Sequence, residues 1–136
     1  MTDLDQRELA LLAIAREAGE LARRRFLDRS SFTVKFKGPQ DFITEADGEV
    51  ERLILERLRA TFPDDTHLGE ETGGTPGRRA WVIDPIDGTS NFARGIAHFC
   101  VSIAYVEDRA IRLGAIYQPM TREMFAAREG RGAGLD

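Results

Sequence analysis

The sequence from residue 80 reads Ala80-Trp81-Val82-Ile83 and continues Asp84-Pro85-Ile86-Asp87-Gly88-Thr89-Ser90-Asn91-Phe92. The first four residues form an apolar run typical of a buried strand, and two aspartates follow at its end. Two carboxylates held close together repel each other unless a cation lies between them. The glycine and the small polar residues can then open a helix, whose free backbone N–H groups attract an anion such as phosphate. This stretch therefore predicts a site where a metal ion and a phosphate meet.

The bulk composition is that of an ordinary globular protein. The chain has 136 residues, so we expect residues 1–136 to form a single domain. A net charge of −4 without a basic stripe argues against nucleic acid as a partner. No apolar stretch reaches about 18 residues and no signal-peptide pattern is present, so we expect no membrane span and a cytoplasmic location. The single cysteine, Cys100, lies in an apolar run, which favours a buried side chain over a nucleophile.

Two long helices are predicted in the first half of the chain. Apolar residues recur at spacings of three and four over residues 4–28, as on one face of a helix. Thr44 and Asp47 match the capping-box pattern, so a second helix is expected to begin at Thr44 and to end at Phe62. Residues 32–37 alternate between apolar and polar, which predicts a strand between the two helices.

The second half of the chain is predicted to be rich in strands. His67-Leu68 is expected to be a short strand, and residues 72–79 a loop. Further strands are predicted over 99–106, 110–117 and 123–127, after which the glycine-rich residues 128–136 are expected to leave the last edge uncovered. This order predicts an α+β fold with a mainly antiparallel sheet, and the open edge allows a homodimer.

Acidic residues collect at three junctions between the predicted elements: residues 41–47, Glu70-Glu71, and Asp84 with Asp87. Oxygen ligands without a neighbouring histidine or cysteine favour Mg²⁺ over Zn²⁺. Asp47 also has a simpler explanation as a capping residue, and Glu70 as a loop charge. His98 is expected to be structural. No histidine lies in the Asp84 motif, so a Ser-His-Asp relay has no support.

The residues from Asp84 to Phe92 resemble the signature of the inositol monophosphatase family. The members of this family are Mg²⁺-dependent, lithium-sensitive phosphatases. Gly69-Glu70-Glu71 resembles the second motif of that family, and residues 41–47 resemble its upstream motif. The three occur in the family's order and at about its spacings, and the resemblance runs from about residue 5 to residue 133. It implies the family's layered α/β sandwich, with this chain as an N-terminal portion.

The resemblance implies a set of metal ligands. Glu70, Asp84 and the main-chain carbonyl of Ile86 would bind a first Mg²⁺, and Asp84 would bridge to a second ion that Asp87 also binds. Asp47 would reach a third ion or its waters.

The resemblance also implies groups that bind substrate and promote the reaction. Asp87 and the backbone N–H groups of Gly88 and Thr89 would contact the substrate. Thr89 and Glu70, with Asp47 nearby, would orient and deprotonate the attacking water. The expected activity is hydrolysis of a small phosphate monoester, and Arg94-Gly95-Ile96 favours inositol-1-phosphate.

Two alternatives stay open beside this interpretation. Family members are about twice as long and carry a later Trp-Asp segment with one more ligand, which these 136 residues do not contain. The chain is therefore also interpreted as a catalytically incomplete fragment that acts as a metal-binding or subunit-interaction module. A haloacid-dehalogenase phosphatase would need Asp-x-Asp, whereas here Pro85 and Ile86 separate the two aspartates.

Overall fold

The computed structural model describes residues 1–38, 41–69 and 76–136, with the side chains of all of these except 36–38 and 41–43. Its helices are α1 (Asp3–Leu27), α2 (Glu45–Thr61) and the short α3 (Thr89–Arg94), and a 3-10 turn spans Arg29–Ser31. Its strands are β1 (Val34–Gly38), β2 (Asp41–Thr44), β3 (Thr66–Gly69), β4 (Arg79–Asp87), β5 (Cys100–Glu107), β6 (Ala110–Gln118), β7 (Glu123–Arg128) and β8 (Gly132–Leu135).

Strands β3 to β8 form a six-stranded sheet in sequence order, and β1 and β2 form a separate antiparallel hairpin. Within the larger sheet β3 and β4 are parallel, and every other neighbouring pair is antiparallel. The predicted α+β fold with a mainly antiparallel sheet is therefore confirmed.

Helices α1 and α2 pack on one face of the six-stranded sheet, which we call the inner face. The apolar positions predicted for α1, including Leu11, Ile14 and Ala18, are buried there. Gly19 allows the closest approach, because a Cβ atom at this position would lie 2.2 Å from the Tyr117 ring on β6. Among the described residues, no helix combines the length and the apolar character needed to cross a membrane.

Helix α2 begins as the capping pattern predicts. The Thr44 side chain accepts a hydrogen bond from the backbone N–H of Asp47, and the Asp47 side chain accepts one from the backbone N–H of Thr44. These two bonds satisfy donors that the first turn of a helix otherwise leaves free. The helix has Phe62 as its C-cap, also as predicted.

Three predictions about strands were wrong. Strand β2 (Asp41–Thr44) was not predicted, and it pairs with β1. Strand β4 does not stop at Ile83 but continues to Asp87, because a bulge after Asp84 accommodates Pro85 inside the strand. Residues 132–135 do not trail off but form β8, which covers the edge of β7, since backbone pairing compensates for the weak strand preference of glycine.

The other face of the six-stranded sheet, which we call the outer face, carries no helix among the described residues. A groove of about 570 Å³ crosses it over strands β5 to β8. Ile116 and Phe125 in this groove are 45% and 42% exposed. The outer face of the single chain therefore presents apolar side chains to solvent.

A buried ion pair ties the start of α1 to the sheet. The Arg7 guanidinium donates to both carboxylate oxygens of Asp65, at 2.9 and 3.0 Å, and lies over the ring of Phe62. The indole N–H of Trp81 donates to the same carboxylate at 2.8 Å. Arg7 and Asp65 are only 3% and 6% exposed, so each depends on the other to compensate for lost hydration.

We predict that Asp65→Ala lowers the free energy of unfolding by about 3–5 kcal/mol, because it leaves a buried guanidinium with only the exposed carboxylate of Asp3 as its ion-pair partner. Urea unfolding followed by circular dichroism measures this. The matched control is Glu17→Ala, which breaks the exposed pair to Arg57 at 2.7 Å and should cost less than about 1 kcal/mol. Equal losses in the two variants would show that the buried pair has no special weight.

Candidate functional site

The bulge in β4 places the two aspartates of the motif on the same face of the sheet. Asp84 pairs with Ser102 on β5, but Asp87 pairs with Cys100, so three steps along β4 match two steps along β5. Without the extra residue, an odd spacing would put the two side chains on opposite faces. Both carboxylates therefore lie on the outer face, Asp84 beside Ser102 and Asp87 beside Cys100.

Asp47 reaches this part of the sheet from the first turn of α2. Its side chain is 1% exposed. One carboxylate oxygen, Oδ2, accepts hydrogen bonds from the N–H and the hydroxyl of Thr44 at 2.9 and 2.5 Å. The other, Oδ1, accepts a hydrogen bond from the Thr89 hydroxyl at 2.8 Å. The capping residue is thus also in direct contact with Thr89, which follows β4.

The Thr89 hydroxyl lies between two acceptors. It is 2.8 Å from Asp47 Oδ1 and 3.0 Å from the main-chain carbonyl oxygen of Ile86. A hydroxyl has one proton, so it can donate to only one of these oxygens at a time. The acceptor oxygen that receives no hydrogen bond from Thr89 keeps its lone pairs available to bind another electron-poor group. Two oxygens and a hydroxyl, from α2 and from the motif, therefore converge at the start of α3.

Burial disfavours the charged form of Asp47. It raises the pKa of the Asp47 carboxyl above its usual range, while hydrogen bonds from Thr44 and Thr89 act in the opposite direction. A cation beside the carboxylate would compensate for this loss of hydration, since an opposite charge favours the ionised form.

Gly88 makes the turn from β4 into α3. It has φ of +99°, and a Cβ atom here would lie 3.2 Å from the carbonyl oxygen of His98 and 3.3 Å from Phe99. Only glycine fits such a left-handed and crowded position without strain. The Asn91 side chain donates to the same His98 carbonyl at 2.8 Å, which closes the turn from the other side. The His98 side chain itself is exposed, so the residue's structural role lies in its backbone.

The negative charges of both aspartates act on the thiol of Cys100. Burial raises the pKa of its thiol to about 11, and the negative charges of Asp87 and Asp84 add to the shift. At neutral pH the group is therefore a thiol, and only a thiolate is an effective nucleophile. The expectation that Cys100 is not a nucleophile agrees with this environment, but the side chain is half-buried rather than fully buried.

The predicted ligands are only partly described. Glu70 lies outside the described residues, as does Glu71. The residue before it, Gly69, ends β3 level with Ile83, one position before Asp84. Among the side chains that the structure describes, in residues 1–35, 44–69 and 76–136, no three of His, Cys, Asp or Glu lie close enough together to hold a metal ion. The donors that do converge are the Asp47 carboxylate, a carbonyl and a hydroxyl, all of them oxygens of the kind that a hard cation such as Mg²⁺ prefers.

One residue near this site was not predicted from the sequence. Arg29, in the turn after α1, donates to the main-chain carbonyls of Phe92 and Ala93 at the end of α3. A side chain that binds backbone oxygens distant in sequence leaves no pattern of residue types. The only signal was an arginine in a short polar loop, which is ordinary on a protein surface.

Comparison with known proteins agrees with this geometry. The model of the inositol monophosphatase family matches residues 3–136. The fructose-1,6-bisphosphatase/inositol-1-monophosphatase of Thermotoga maritima is 43% identical over 99 residues, which cover 73% of this chain and 39% of that protein. The inositol-1-monophosphatase of Rhizobium meliloti is 38% identical over 123 residues, which cover 88% and 46%. A protein of Haemophilus influenzae named Nus factor SuhB is also 38% identical, over 90% of this chain and 47% of its own length.

Solved structures share the fold. Thermotoga maritima IMPase superimposes with a TM-score of 0.88 at 36% identity, covering 100% of this chain and 52% of that one. The extragenic suppressor protein suhB of Bartonella henselae also gives 0.88, at 34% identity, with coverage of 93% and 50%.

The chain spans about half the length of these relatives. The expectation of an inositol-monophosphatase-like fold is confirmed. The family model spans residues 3–136, so the chain belongs to the inositol monophosphatase family. It corresponds to an N-terminal portion of the family's members.

Proposed function

We propose that this chain forms the metal- and phosphate-binding wall of a Mg²⁺-dependent phosphomonoesterase. Its substrate would be inositol-1-phosphate or a related small phosphate ester. The observation that carries the proposal is the hydrogen bond between Thr89 and Asp47. It brings the carboxylate of α2 to the motif that already holds Asp84, Asp87 and the carbonyl of Ile86.

The donor set supports a hard divalent cation. Mg²⁺ would be bound by Asp84, Asp87, the Ile86 carbonyl and Glu70. The buried carboxylate of Asp47 would offset part of the remaining positive charge. When bound, Mg²⁺ polarises water and phosphoryl oxygens and neutralises the charge that develops on them. An IMPase/NADP phosphatase of the same fold, 21% identical to this chain, has been solved with Mg²⁺ and phosphate.

The remaining groups of the wall would orient the reactants. The backbone N–H groups of Gly88 and Thr89 would face the phosphate of the substrate. If a cation occupies the Ile86 carbonyl, the Thr89 hydroxyl would donate its hydrogen bond to Asp47, and the Thr89 oxygen would accept a hydrogen bond from the attacking water. Glu70 would act as the general base that takes a proton from that water. In-line attack of water on phosphorus needs no nucleophile from the protein, so a neutral Cys100 thiol is consistent with the reaction.

A second candidate function is that of a metal-binding or subunit-interaction module without turnover. The specific observations in its favour are the apolar outer face and the half-length match to the relatives. Relatives named Nus factor SuhB also show that similarity within this family does not by itself identify a phosphatase. The exclusion of nucleic acid, the homodimer, the lithium sensitivity and the cytoplasmic location stay predictions.

We predict that Asp84→Asn and Asp87→Asn each weaken Mg²⁺ binding by about tenfold or more, since even outer-shell groups of metal sites contribute roughly 10- to 100-fold. Isothermal titration calorimetry on the 136-residue chain measures this. Asp64→Asn, an exposed aspartate away from the motif, is the matched control and should bind as the wild type does. Unchanged affinity in both motif variants would remove the proposed metal site.

A turnover assay on the same samples separates the two candidate functions. Mg²⁺-dependent release of phosphate from inositol-1-phosphate by the wild-type chain, lost in both motif variants, would identify the enzyme. Mg²⁺ binding without turnover would identify the module.

We predict that Asp47→Asn weakens Mg²⁺ binding without destabilising the fold. The amide can still accept from the Thr44 N–H and can donate to the Thr89 oxygen, so the cap persists. Because burial raises the pKa of Asp47, its protonated form stabilises the fold at low pH, and that contribution is lost as the pH rises through the folded-state pKa.

Urea unfolding across this pH range measures the difference. Without metal, the asparagine variant should be as stable as the wild type at low pH and equally or more stable at neutral pH. A loss of about 1 kcal/mol or more at neutral pH, as for a deleted helix cap, would contradict this expectation.

A further inference from the structure

Helix α3 is too short to hold its own position. It has six residues, and isolated helices shorter than about 12–15 residues are marginal in water. Its first turn nevertheless carries Thr89, the residue that contacts Asp47. Something outside the helix must therefore determine where its first turn lies.

The far end of α3 is held by an aromatic cluster and by one arginine. Phe92 is fully buried, with its ring centroid 4.9 Å from that of Phe99 and 5.0 Å from that of Phe32. Arg29 Nη1 donates to the Phe92 carbonyl at 2.6 Å, and Nη2 donates to the Ala93 carbonyl. A cation that binds the last carbonyls of a helix also complements the negative end of its dipole.

Arg29 is itself held in place on three sides. Its guanidinium lies 5.0 Å from the ring centre of Phe32 and 5.5 Å from that of Phe26. The turn that carries it is closed by hydrogen bonds from the N–H and the hydroxyl of Ser31 to the Asp28 carbonyl, at 3.0 and 2.7 Å. The planar, two-pronged guanidinium can bind two neighbouring carbonyls at once, which a lysine cannot do.

The path from Arg29 to the candidate site is one helical turn long. The Phe92 N–H donates to the Gly88 carbonyl at 3.0 Å, and the Thr89 hydroxyl follows directly from Gly88. One hydrogen bond and one peptide unit thus connect Phe92 to the Thr89–Asp47 contact.

We infer that Arg29 is a positioning residue, which holds α3 so that Gly88 and Thr89 stay in register with Asp47. The inference rests on the proposed function for its consequence in catalysis. Its geometric content, a coupling between Arg29 and the Thr89–Asp47 contact, can be tested whether or not the chain binds a metal.

The first test is hydrogen exchange of the backbone amides of Phe92, Gly95 and Ile96, which donate within or at the end of α3. Arg29→Gln should increase their exchange by about tenfold, since it removes two charge-assisted hydrogen bonds. Arg29→Lys should restore part of the protection. Arg25→Gln, which breaks a guanidinium pair between α1 and Glu49 at 2.6 Å, is the matched control and should leave α3 unchanged.

The second test is a double-mutant cycle with Thr89→Val, which removes the hydroxyl and keeps the shape. If Arg29 acts through the Thr89–Asp47 contact, Arg29→Gln should increase α3 exchange by clearly less in the Thr89→Val background than in the wild type. Additive effects, or unchanged exchange in Arg29→Gln, would overturn the inference.

The third test uses Mn²⁺ as the probe ion, with its affinity measured by electron paramagnetic resonance. Arg29→Gln should weaken Mn²⁺ binding several-fold, and Arg25→Gln should not. Faster exchange with unaltered Mn²⁺ affinity would show a structural role only and would overturn the positioning role. If the wild-type chain binds no Mn²⁺, the proposed function fails, and the double-mutant cycle alone decides the inference.

Discussion

The Asp47 carboxylate joins the first turn of α2 to the first turn of α3, and the candidate site depends on this junction. One oxygen completes the cap on α2, and the other accepts the Thr89 hydroxyl. Both oxygens are buried, so neither helix can move without leaving a polar group without a partner. The same demand that starts a helix therefore also brings the carboxylate of α2 to the start of α3, and a cation that lowered the cost of burying this charge would stabilise the whole junction.

Much of the fold could be predicted because local rules and burial agree. The apolar period of α1 and the capping box of α2 both describe the side of the chain that meets the sheet. The residues of β5 alternate between buried and partly exposed because one face of the sheet packs on α1 and α2. The two motif aspartates and the turn at Gly88 could be singled out for the same reason, since carboxylate spacing and a turn glycine are local features; their roles at a site, and that of Thr89, stay predictions.

The features that were missed depend on contacts distant in sequence or on backbone pairing. Strand β8 contains glycines that disfavour a strand, and only its ladder with β7 makes it one. The continuation of β4 through Pro85 depends on a bulge, whose presence follows from the pairing with β5. Arg29 binds main-chain oxygens that are more than sixty positions away, and every residue type offers the same carbonyl.

The bulge in β4 has a consequence for length variation in this family. A chain one residue shorter between Asp84 and Asp87 would still present both carboxylates on one face, because two steps along a strand return to the same side. It would instead lose the unpaired residue, and with it the freedom of the Ile86 carbonyl to leave the ladder and meet the Thr89 hydroxyl. Deletions here should therefore be rarer than substitutions at Pro85, since they move the main-chain oxygen that the Thr89 hydroxyl contacts, which no side chain can replace.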